Sequence, residues 1–127
     1  MTLSDEKITG LFEFLDRLAG LDPEDLPGHF TSANIETLRL ACGVLKQGLE
    51  LERILSERRF IGLVKELSET KEIWSERLQE TLDLAAGEHG QGNLVQALWI
   101  LNGFIRFCPS PYFIGKAQEV MREYEEE

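Results

Sequence analysis

Apolar residues recur at intervals of three and four along nearly the whole chain, the spacing that gathers them on one face of an α-helix. Ile8, Leu11, Phe12, Leu15, Leu18 and Ala19 form the first such stripe. Ser4 precedes it as an N-cap with Asp5 and Glu6 in the first turn, and Gly20 supplies the stop. Residues 21–31 open with LDPEDLPGH, whose prolines and glycine read as an ordered surface loop, and Thr31 or Ser32 caps a second helix.

From Ala33 to Ala86 there is no proline, so periodicity has to locate the breaks. Ile35, Leu38, Cys42, Leu45 and Leu49 make one stripe, and Phe60, Leu63, Val64, Leu67, Trp74, Leu78, Leu82 and Ala85 make another. Between them Leu51, Ile54 and Leu55 point to the opposite side. One unbroken helix over this region would measure about 80 Å, too long for a domain of this size, which predicts a turn near Ser56 or a second one in Ser68–Lys71. Gly87 and Gly90 end the region, Asn93 caps the next helix, and Ser110 followed by Pro111 opens a last helix running towards Glu125. The acidic tail, residues 124–127, is expected to fray, because carboxylates at a helix C-terminus oppose the macrodipole. The pattern predicts an all-α fold, a compact bundle of about five antiparallel helices in a single domain spanning residues 1–127.

The helix after Asn93 stands apart, because it is apolar almost all the way round. Leu94, Ala97, Leu98, Ile100, Leu101, Phe104, Ile105, Phe107 and Cys108 fill more than half of its circumference. Val95, Gln96, Trp99, Asn102, Gly103 and Arg106 share the remaining arc, with Trp99, Gly103 and Arg106 in line. Two arrangements fit. The helix is either central to the bundle, with Trp99 in the core, or it packs on one side and presents Val95, Trp99, Gly103 and Arg106 to a partner. Trp and Arg are the residue types that dominate binding hot spots.

Gly92, Ala97 and Pro109, with Leu101 between the last two, occupy the small, large and helix-ending positions of the second helix of a tetratricopeptide repeat, which this segment resembles. Leu84 and Ala85 suit the preceding helix, whereas Phe104, Thr81 and Glu88 depart from the pattern, and no similar unit recurs upstream. The resemblance implies a C-terminal helical hairpin and a peptide-binding or scaffolding role.

Composition alters this picture mainly through charge. With 127 residues, 43% of them hydrophobic, the chain can bury a core unaided. Lys and Arg number 13 against 23 Asp and Glu, a formal charge of −10, which disfavours nucleic acid and anionic membranes as partners. Glu69, Glu72, Glu76, Glu80 and Asp83 recur at helical spacing as an acidic ridge, read either as a solvated face or as a docking site for a basic protein. Arg53, Arg58, Arg59 and Lys65 form the one basic spot, expected to pair locally with acids such as Glu57.

Candidate chemistry is sparse. His29 and His89 fall in loop-like contexts and lack the Glu-x-x-His spacing of di-metal bundles. Cys42 and Cys108 lack zinc-knuckle spacing and read as buried thiols. No apolar run is long enough to span a membrane and no secretory signal opens the chain, so the expected location is the cytoplasm. No metal site or cofactor is expected. The resulting expectation is an interaction or adaptor module that binds a peptide, a helix or a second copy of itself through Val95, Trp99, Gly103 and Arg106. An acidic inhibitor of a basic protein and a small helical enzyme with an unrecognised pocket are the alternatives, the enzyme being disfavoured by the lack of any catalytic signature.

Overall fold

The computed structural model of the chain describes residues 3–45 and 56–126. All regular structure among the described residues is helical: α1 (Asp5–Ala19), a short 3-10 turn (Leu26–His29), α2 (Ser32–Leu45), α3 (Glu57–Gly90), α4 (Leu94–Phe107) and α5 (Pro111–Glu126). The all-α expectation is met. The chain divides into two compact units, Met1–Lys71 and Glu72–Glu127, with residues of α3 in each. Leu49, Leu51, Arg53, Ile54 and Leu55 lie outside the described residues.

Local chemistry sets most helix ends where the sequence puts them. Ser4 Oγ accepts the Lys7 amide at the start of α1, Thr31 Oγ1 accepts that of Asn34 at the start of α2, and Ser56 Oγ accepts that of Arg59 at the start of α3. The turn expected near Ser56 therefore corresponds to the start of α3. The second candidate, Ser68–Lys71, does not break: α3 passes through it, because Leu67 and Lys71 are both buried on the inward side of the same helix.

In the first unit Ile8, Leu11, Phe14, Leu15 and Leu18 of α1 are buried. Phe14 replaces Phe12 and Ala19 of the expected stripe, which amounts to a small rotation of the inward arc. Phe12 is half-buried, and its ring takes the Lys71 ammonium 5.9 Å from its centroid. The same ammonium meets Asp16 Oδ1 at 2.5 Å, so a lysine that is 7% exposed has a carboxylate one helical turn from its aromatic cover. Leu38, Ala41, Cys42, Val44 and Leu45 of α2 and Phe60, Leu63, Val64 and Leu67 of α3 are buried as well, with Phe60 stacked on Phe30. Arg59 pairs with Glu66 at 3.5 Å, a local acid as expected for the basic spot.

In the second unit Ala85 of α3 and Ala97 and Leu101 of α4 form a fully buried cluster. Leu82, Ile100, Val120, Met121 and Tyr124 pack around it. Trp74 lays its edge on Phe104 and its face under Arg77, and His89 stacks on Tyr124 with ring centroids 4.1 Å apart. His89 is thus a half-buried residue of the last turn of α3, not a loop histidine.

Gly87 does not end α3 but lies within it, and the chain turns two residues beyond Gly90. Gly92 adopts φ +83°, the one positive φ among the described residues, which a side chain would disfavour. Asn93 does not cap α4 through its side chain. Its Nδ2 donates back to Glu88 Oε2 and its amide to the Glu88 carbonyl, both at 2.9 Å, which ties the turn to α3. At the next turn the buried Ser110 accepts the Phe113 amide on Oγ, and α5 continues helical to Glu126.

Two predictions follow from this packing. Leu101→Ala should cost about 2–5 kcal/mol in denaturant unfolding, since it empties the centre of the second unit, whereas Val95→Ala should fall within about 0.5 kcal/mol of wild type. The two glycines near the α3–α4 turn should respond with opposite sign. Gly87→Ala, in open space on a helix, should raise stability by up to about 1 kcal/mol, and Gly92→Ala should lower it by about 1 kcal/mol or more.

Candidate functional site

Only part of the circumference of α4 can face the core, and the structure selects one arc. Ala97, Leu101 and Phe104 point inward, with Cys108 just beyond the helix end. At about 100° per residue this choice turns Val95, Trp99, Asn102 and Arg106 to the opposite side, and all of them are exposed. Val95 is 83% and Trp99 70% exposed, so the arrangement with Trp99 in a covered core is not the one adopted.

Gly103 is half-buried, and a Cβ built on it would meet nothing within 4 Å. It forms a gap in the row Val95, Trp99, Gly103, Phe107, whose members succeed one another every four residues. The fourth member was not recognised from the sequence. Projection places Phe107 at the edge of the apolar arc, but it is the last residue of α4, no further turn follows to cover it, and it is 77% exposed. Its position immediately before the Cys-Pro-Ser-Pro break is the signal that could have found it.

Arg106 is the one charged side chain of α4, and no carboxylate occurs anywhere in the helix. Among the described residues it forms no ion pair. The two tryptophans of the chain thus differ in role: Trp74 is half-buried between Phe104 and Arg77, while Trp99 stands on the surface.

The acidic residues Glu69, Glu72, Glu76, Glu80 and Asp83 are all exposed on α3, away from the side that buries Leu67 and Ala85. Asp83 accepts a 2.9 Å hydrogen bond from Gln79 Nε2. Among the described residues no three His, Cys, Asp or Glu side chains are grouped so as to hold a metal ion. Cys42 and Cys108 are buried and form no disulfide, and burial pushes the Cys108 pKa up, which makes it a poor nucleophile at neutral pH. His29 sits half-buried at the end of the 3-10 turn, where its carbonyl accepts Asn34 Nδ2 at 2.8 Å. No helix among the described residues is long and apolar enough to cross a membrane.

The outer arc of α4 is an aromatic and aliphatic row with a gap at its middle, flanked by one cation. In comparisons with protein-family models, with curated proteins and with solved structures, nothing matches this chain.

Proposed function

We propose that the chain is a helical protein–protein interaction module that works through the outer arc of α4, with Val95, Trp99, Gly103 and Arg106 as contact residues and Phe107 beside them. The observation that carries this reading is the exposure of Trp99 on the same row as two other exposed apolar side chains. Tryptophan offers the largest apolar area of any side chain and an N–H donor, and leaving it in water forgoes about 2 kcal/mol or more that a partner could recover. Contiguous exposed apolar residues of this kind mark interaction surfaces more often than single scattered ones do. The tetratricopeptide resemblance belongs to the same proposal, since hairpins of that type bind peptides or scaffold other proteins.

A second reading rests on the acidic ridge of α3, whose exposed carboxylates favour a basic partner. Ionic strength separates the two: ridge-mediated binding weakens steeply as salt screens it, while apolar docking on α4 changes little.

Trp99→Ala should lower the stability of the fold by about 1 kcal/mol or less, because the indole is mostly in water already. The same substitution should weaken partner binding by about thirtyfold or more, the loss expected of a hot-spot residue. Thermal melting and a binding titration of one protein preparation check both halves. Collapse of the fold with unchanged binding would remove α4 from the proposal, and loss of binding only on neutralising Glu76, Glu80 and Asp83 would transfer it to the ridge.

A further inference from the structure

We draw no further inference here: the strongest candidate, the exposed apolar patch of Val95, Trp99 and Phe107 on the outer arc of α4, belongs to the site already described, and nothing in the structure shows what covers it.

Discussion

The fully buried contact of Ala85, Ala97 and Leu101 is the constraint on which the second unit depends. Ala85 of α3 is buried together with Ala97 and Leu101 of α4, and Leu82, Ile100, Val120, Met121 and Tyr124 pack around them. Once Ala97 faces inward, every other residue of α4 has its direction fixed by the helical repeat. Leu101 and Phe104 follow it into the core, and Val95, Trp99 and Arg106 are carried to the opposite side. The surface row is thus a geometric consequence of a small-residue contact on the far face of the same helix.

Charge is distributed in keeping with that division of labour. Glu69, Glu72, Glu76, Glu80 and Asp83 of α3 are exposed to water, and the buried cation of the first unit, Lys71, has Asp16 and the face of Phe12 beside it. On α4 a lone arginine interrupts an otherwise uncharged helix. The acidic chain thus carries its carboxylates on other elements and leaves on α4 a helical face whose one charge is Arg106.

Much of this was legible in the sequence, for physical reasons that differ from one element to the next. The caps Ser4, Thr31 and Ser110, and Ser56 where the sequence reads a turn, each accept a hydrogen bond from the amide three positions along, so local sequence suffices to find these ends. The core stripe of α3 from Phe60 to Leu67 follows from periodicity alone. The failures lie where distant residues decide. Lys71 reads as part of a polar break, and its burial is accompanied by Asp16 and Phe12, which are far away in sequence. His89 reads as a loop residue because the glycines around it are helix breakers in isolation, but the ring of Tyr124 stacks on it and Gly92, not Gly90, makes the turn.

The outer arc of α4 shows the limit of periodicity most directly. A helix apolar nearly all round has two mutually exclusive ways to be buried on one side, and hydrophobicity alone does not choose between them. The structure chooses the arc of Ala97 and Leu101, which are buried with Ala85, and leaves the larger Trp99 exposed. Phe107 is exposed for the separate reason that its helix stops there: the chain turns through Pro109 to the buried Ser110 before another turn could shield it. An aromatic row on the surface thus has two separate origins, the burial of Ala97 and Leu101 together with Ala85 and the end of α4 at Phe107.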